Sequence, residues 1–142
     1  QLAINVNEII PNLGVSATVE SDRPVAVERA LVFNGGQAGS VGAGATEPRF
    51  RWAFVDGRTS DATYYIAVSN PGRTRARVTV ELRFGGGATG SQSFDVAPGA
   101  RYTFSVHEPY PDEAAVSAVV RSTQPIVAER SIYPGGGVRG GA

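Results

Sequence analysis

Few residues in this chain have the types and spacing that metal or catalytic chemistry requires. The segment 56–61 (DGRTSD) places side-chain oxygens at alternating positions, and oxygen is the ligand type that calcium prefers. Arg58 lies in the middle of the segment and adds a positive charge, and no glutamate closes the loop. We therefore interpret the segment as a turn between strands and predict no metal site.

His107 is the one histidine, and it lies close in sequence to Glu108, Asp112 and Glu113. A Ser-His-acid arrangement would need a nucleophile elbow, which the sequence lacks, and there is no cysteine to replace the serine. The glycine tracts are not followed by the Lys-Ser or Lys-Thr pair of a phosphate-binding loop. The sequence predicts a non-enzymatic protein with no catalytic residues and no cofactor.

Two Glu-Arg dipeptides, Glu28-Arg29 and Glu129-Arg130, stand at matching places in the chain. Adjacent residues of a strand point to opposite faces, so the two members of a dipeptide cannot share one pocket. One member of each must lie at the interior or rim of a sheet, where a charge needs a partner. We predict structural ion pairs that tie neighbouring strands, with a role in ligand binding as the alternative.

Four arginines form a candidate polar binding face: Arg73, Arg75, Arg77 and Arg83. Such a face could bind acidic polysaccharide or phosphate. It is also typical of a solvent-exposed strand, with Glu81 among the arginines. Trp52, Tyr64 and Tyr65 would stack on sugar rings if exposed, although alternation predicts that Trp52 and at least one tyrosine belong to the core.

The composition argues against two classes of protein. The 142 residues carry 13 basic and 13 acidic side chains, a formal net charge of zero. A general nucleic-acid binder needs a net cationic surface, so that class is not expected. No run reaches the roughly 18 apolar residues of a membrane-spanning helix, so no span is predicted.

The chain contains an internal repeat. Residues 15–31 (VSATVESDRPVAVERAL) match residues 116–132 (VSAVVRSTQPIVAERSI) at an offset of 101, with eight of 17 positions identical; chance gives about one. Residues 2–8 (LAINVNE) match residues 102–108 (YTFSVHE) at an offset of 100. We call residues 1–33 the first copy and residues 101–134 the second copy. The chain is thus about 1.4 copies of a module of roughly 100 residues.

Apolar and polar residues alternate in several segments, most clearly over residues 73–84, and turn signals such as Asn70-Pro71-Gly72 separate these segments. This pattern predicts an all-β protein, an antiparallel β-sandwich. The predicted organisation is a three-strand partial repeat over 1–33, a Gly-rich linker over 34–48, a complete seven-strand module over 49–133 and a Gly-rich tail over 134–142. Three strands cannot cover their own apolar face, so we expect an adjoining copy to complete the partial repeat, in cis or in trans.

A series of motifs runs through residues 50–133. It comprises W-x-F-x-x-G-x-T over 52–59, a tyrosine-rich strand ending in Asn70-Pro71, V-x-V over 78–80, V-x-P-G-x-R over 96–101 and S-x-x-P-I-V-x-E-R-x-x-Y over 122–133. This order resembles a family of tandem β-sandwich repeat modules of bacterial cell-surface and secreted proteins. It is also similar to the small β-sandwich of the sensory rhodopsin transducer group. The resemblance implies repetition, export and an interaction or scaffolding role.

Two functions follow as expectations. The first is an extracellular or cell-surface structural module whose partners are other copies of itself, assembled into an elongated array or filament by strand or edge completion. The alternative is an extracellular carbohydrate-binding module, lectin-like or adhesin-like, that uses the arginine face or exposed aromatics to bind cell-surface polysaccharide.

Overall fold

The computed structural model describes residues 1–33 and 38–135, and strands dominate these ranges. A short helix, α1 (Val6–Ile9), precedes the described strands, which are β1 (Glu28–Phe33), β2 (Ala38–Ala43), β3 (Arg49–Gly57), β4 (Ala62–Ser69), β5 (Ala76–Phe84), β6 (Thr89–Val96), β7 (Arg101–Ser105) and β8 (Val116–Pro134). All the described strand pairs are antiparallel. The predicted all-β, antiparallel class is confirmed.

The 19-residue strand β8 organises the module formed by β3 to β8. Its first half, residues 116–122, pairs with β5 on one edge and with β3 on the other. Its second half, residues 127–134, pairs with β4. The six strands form one sheet in the order β6-β5-β8-β4-β7, with β3 paired to β8. The second copy of the repeat therefore supplies the central strand, β8, and the edge strand β7.

The alternation read from the sequence buries every second residue of β4 and β5, and β6, β7 and β8 add further side chains to the same hydrophobic core. In β4 and β5 the buried and less buried positions alternate along the whole strand. Both halves of β8 contribute to the same cluster as β4 to β7. The largest fully buried apolar side chains are Tyr64, Ile66, Leu82, Ile126, Val68, Val78, Val80, Val96, Val106 and Val120.

The turn after β4 is held by Asn70, which is fully buried. Its side-chain amide donates to the carbonyl oxygens of Thr74 and Val96 at 2.8 and 3.1 Å, and its Oδ1 accepts from the backbone N–H of Gly72 at 3.0 Å. Because a buried amide needs such partners, Asn70 fixes the connection between β4 and β5 against the end of β6.

The structure has six strands where the sequence predicts seven over residues 49–133. One reason is that residues 116–134 form a single strand, β8, which continues through Pro125. Proline lacks the N–H that a ladder requires, but Pro125 lies where β8 changes partners from β5 to β4 and is paired with neither. A proline at this place costs no ladder hydrogen bond.

The first copy does not form the three strands that the sequence predicts. Of residues 1–33, only Glu28–Phe33 is a strand, and residues 6–9 form α1, whereas their counterparts, residues 106–109, form the turn that follows β7. Asn5 caps α1, since its Oδ1 accepts from the backbone N–H of Asn7 at 3.3 Å and its Nδ2 donates to Glu8 at 2.7 Å. Strands gain stability from cross-strand neighbours, and residues 2–27 have none here.

The predicted linker and tail also need correction. Within 34–48, Ala38–Ala43 forms β2 and pairs with β1, so this segment is a hairpin arm rather than a linker alone. Pro134 ends β8, so the predicted tail begins inside a strand. Residues 34–37 and 136–142, where the remaining linker and tail predictions fall, lie outside the described residues.

Candidate functional site

The segment 56–61 spans the end of β3 and the turn that leads to β4. Thr59 is buried, and its hydroxyl donates to the carbonyl oxygen of Tyr110 at 2.7 Å and accepts from the N–H of Glu113 at 2.9 Å. Asp56 and Asp61 have φ values of 61° and 50°, which aspartate tolerates in turns. Within the described ranges no three histidine or acidic side chains gather to hold a metal ion. The segment ties the β3–β4 turn to the loop before β8.

His107 binds the end of β7 to β4. Its Nδ1 lies 3.2 Å from both the backbone nitrogen and the carbonyl oxygen of Tyr64. Its ring stands edge-on to Tyr65, with 5.0 Å between ring centroids. Through these contacts His107 packs the turn after β7 against β4.

The two Glu-Arg dipeptides meet across the copies. Arg29 of β1 forms an ion pair with Glu129 of β8, and both side chains are partly exposed. Arg130 donates instead to the carbonyl oxygens of Val55 and Asp56, the latter at 2.9 Å. Glu28 joins no ion pair in the described part of the chain. The structure thus brings Arg29 and Glu129 together and leaves Glu28 and Arg130 apart from them.

The four-arginine face is divided in the structure. β5 begins at Ala76, so Arg73 and Arg75 precede the strand, and only Arg77 and Arg83 lie on its outer side. Arg77 lies 3.3 Å from the carboxylate of Asp95 on β6. The same face holds a second ion pair, Arg121 to Glu81 at 3.2 Å, which the sequence did not indicate because it depends on strand register. Carboxylates therefore neutralise part of the face.

The aromatic candidates are engaged inside the module. Trp52 is half-buried, and its indole N–H donates to the carbonyl oxygen of Ile126 at 2.9 Å. Tyr64 is fully buried, and burial raises the pKa of its hydroxyl to about 12 although the nearby positive charge of Arg130 opposes the rise. Within the described ranges that hydroxyl has no hydrogen-bond partner. A Cβ added at Gly57 would lie 2.5 Å from the Tyr64 ring, which explains the glycine of the first motif.

The most unusual surface of the molecule is the first copy itself. Val19 is 59% exposed, whereas its counterpart Val120 is 0% exposed. Val25 is 60% exposed and its counterpart Ile126 0%. The pattern extends upstream, where Ile4 is exposed and its counterpart Phe104 is buried. The same strand sequence thus lies in the core in one copy and faces solvent in the other.

Among the described residues, few hydrogen bonds and ion pairs hold the first copy to the module. The Ser16 hydroxyl lies 3.2 Å from that of Ser69 at the end of β4. The Arg29–Glu129 ion pair is a second attachment. Exposed ion pairs and hydroxyl contacts contribute little, about 0–1 kcal/mol each, so this placement is weakly held.

Comparison with known proteins shows a relationship at the level of the fold. No protein-family model matches the chain, and no curated protein matches it. The structure is similar to that of the Anabaena sensory rhodopsin transducer, with a TM-score of 0.54 and 19% sequence identity over 59% of this chain and 96% of the other. It is also similar to Thermotoga maritima protein 1070, with a TM-score of 0.54 and 14% identity over 62% and 93% of the two chains. The fold is β-rich and related to that of the transducer.

The described part of the chain contains no helix with the length and apolar character needed to cross a membrane.

Proposed function

We propose that the protein is a non-enzymatic structural module of the cell surface or extracellular space that assembles with other copies into an elongated array. One observation carries the proposal: the strand sequence that fills the core in the second copy is repeated in the first copy with its apolar face uncovered. A segment with the sequence of a core strand is expected to pair with an open sheet edge of another copy.

The exposed apolar surface is large enough to support association. Eleven large apolar side chains of the first copy are exposed: Leu2, Ile4, Val6, Ile9, Ile10, Leu13, Val15, Val19, Val25, Val27 and Val32. Full burial of one such side chain contributes about 1.5–3 kcal/mol. Association costs about 4–15 kcal/mol in lost freedom of motion, so covering a handful of these side chains is sufficient.

The proposed contact would build an open array rather than a closed pair. The donated segment and the receiving sheet edge are different surfaces of one chain, so each copy can give one segment and receive another. Such head-to-tail contacts continue without limit unless a rotation closes the ring. The proposed tandem β-sandwich family and the location outside the cell are carried over from the motif resemblance at residues 50–133.

The carbohydrate-binding alternative has less support. Trp52 uses its N–H inside the module, Tyr64 is buried, and two of the arginines on the outer face lie beside carboxylates. A sugar site needs an exposed aromatic ring with convergent polar groups.

The proposal is tested by electron microscopy and light scattering of the untagged chain over a range of concentrations. We expect strings or fibres from the natural chain and dispersed particles from the double variant Val19→Asp/Val25→Asp, because a charge on the donated face opposes burial. The β-sheet circular dichroism of the variant should remain, since both residues are exposed in the isolated chain.

Leu13→Asp is the matched control, because Leu13 is equally exposed but lies between the two repeated segments, where the copies differ. It should leave assembly unchanged. Dispersed monomers from the natural chain at every concentration would contradict the proposal, and a glycan-binding screen would then be the next measurement.

A further inference from the structure

The register of the β1–β2 hairpin shows where the rest of the first copy fits. Glu28 lies opposite Ala43 and Leu31 opposite Ser40, so the residue numbers of every pair in the hairpin add to 71. An antiparallel ladder keeps this sum as it lengthens. Continued past Glu28 and Ala43 without a bulge, the hairpin would bring residues 14–22 opposite residues 49–57, which are β3.

The second copy gives the same register independently. Over residues 51–54, β3 pairs with β8 through Arg51–Arg121, Trp52–Val120, Ala53–Val119 and Phe54–Ala118, and the register shifts on either side of this stretch. Subtracting the repeat offset of 101 from the β8 numbers gives residues 20, 19, 18 and 17 of the first copy. Their sums with 51, 52, 53 and 54 are again 71. On the other edge of β3, the first copy would thus lie opposite the same residues, 51–54, that face the second copy.

The side chains match in this register. Val19 would lie opposite Trp52 and Ala17 opposite Phe54, on the face where both aromatics are half-buried against the core. Directly opposite residues share a face, so these pairs would cover aromatic surface that is now partly open to water.

The opposite face matches in charge. Glu20 would lie opposite Arg51, and Asp22 opposite Arg49. In the second copy the corresponding neighbour of Arg51 is Arg121, a like charge. Opposite charges at directly paired positions stabilise a sheet and like charges destabilise it, so the first copy is the better electrostatic partner of β3.

A place for this strand exists. In the described ranges β3 pairs with β8 alone, so its other edge carries no strand. Val55, which is 71% exposed, and Phe50, which is 58% exposed, mark β3 as an uncovered strand. An open, partly apolar edge is a site for strand addition.

We propose that residues 15–22 add to the open edge of β3 in the same chain, extending the β1–β2 hairpin into one long hairpin. The contacts of Ser16 with Ser69 and of Arg29 with Glu129 belong to the alternative, docked state. The β1–β2 hairpin connects residues 15–22 to β3 in one chain, so the effective concentration of the two segments is about millimolar. Pairing within one chain therefore competes with the pairing of residues 15–22 to a neighbouring copy. This inference rests on the proposed function, because it identifies the open edge of β3 as the partner of residues 15–22. It also identifies pairing within one chain as the state that limits assembly.

The test uses a pair of cysteines in the full-length chain, which has no cysteine of its own. Thr18→Cys/Ala53→Cys places thiols at directly opposite, exposed positions of the predicted ladder, within the Cα separation that a disulfide needs. Ala17→Cys/Ala53→Cys is the matched control, because a one-residue slip points the two side chains to opposite faces. After mild oxidation, non-reducing electrophoresis, intact mass and peptide mapping measure the linkage.

We expect an intramolecular disulfide in the 18–53 variant that forms at least about tenfold faster than in the 17–53 control. A link that forms only between chains would overturn closure in cis while supporting the array. Equal, slow linkage in both variants would overturn the inference, and light scattering of the same samples would still decide the array separately. An intramolecular link in a chain that is monomeric at all concentrations would support the inference and contradict the proposed function.

Discussion

At the scale of single residues, we expect the buried hydroxyl of Tyr64 to lower the free energy of unfolding as the pH becomes alkaline. Burial raises the pKa of this hydroxyl from 10.0 to about 12, so the unfolded chain releases the proton first as pH rises. The protonated Tyr64 hydroxyl stabilises the folded chain fully below about pH 10. This stabilisation is lost as the pH rises through 12, and the free energy of unfolding falls by about 2–3 kcal/mol.

Tyr64→Phe removes this dependence. Because the hydroxyl has no hydrogen-bond partner, we expect the variant to equal or exceed the natural chain in stability at pH 7, by up to about 1–2 kcal/mol. Urea unfolding between pH 8 and 11.5 measures both effects, with the exposed Tyr102→Phe as the control for loss of a phenol. The same pH slope in Tyr64→Phe and the natural chain would contradict the assignment.

At this scale, a sequence pattern can predict that a residue needs a hydrogen-bond or ion-pair partner. It is a poorer guide to which residue that partner is. The repeated Glu-Arg dipeptides pointed to ion pairs, but the pair of Arg29 with Glu129 depends on how two distant strands lie together. Thr59 and Asn70 belong to motifs visible in the sequence. Their hydrogen bonds to Tyr110 and Val96 could not be predicted, because those partners are set by the turns between strands.

At the scale of elements, the two copies of the β8 sequence offer a comparison within one chain. Val19 and Val120 are the same residue at the same repeat position, exposed in the first copy and buried in the second. Val120→Ala should lower the free energy of unfolding by about 2–3 kcal/mol, because it removes buried methyl groups and leaves a cavity. Val19→Ala should change it by no more than about 0.5 kcal/mol.

Chemical denaturation at low micromolar concentration measures both valine variants. The identical side-chain change makes each variant the control for the other, so the difference reports burial alone. Equal losses would show that the first copy is covered in solution, which contradicts its exposure in the structure and favours a paired state.

The elements that sequence analysis misplaced are those whose conformation depends on neighbours. Residues 2–8 resemble the β7 region, yet without partner strands the local capping by Asn5 prevails and α1 forms. Residues 116–134 form one strand through Pro125, because Pro125 lies where β8 changes partners and needs no ladder hydrogen bond to β4 or β5. The alternation of apolar and polar residues predicts β4 and β5 more reliably. In a half-buried strand the residues facing the core are apolar and those facing solvent are polar, so the pattern is visible in the strand's own sequence.

At the scale of the whole molecule, the module formed by β3 to β8 has the content of an independent folding unit. Its core includes buried residues from β4 to β8, and none of the clustered buried residues comes from the first copy. The two solved structures compared above are matched over 96% and 93% of their own lengths, and the matches cover only 59% and 62% of this chain. The fold relationship therefore does not require the whole chain.

Deletion of residues 1–33 should then separate folding from association. We expect the shortened chain to keep its β-sheet circular dichroism and its melting temperature within a few degrees, because no clustered core residue is lost. Its association state, measured by light scattering and sedimentation, should change. If large assemblies of the natural chain disappear, the first copy is the strand donated between copies. If a monomeric natural chain instead begins to associate, the deletion has uncovered the β3 edge that the first copy closes in cis. An unchanged association state would contradict both, because the exposed repeat would then have no part in how copies of this chain meet.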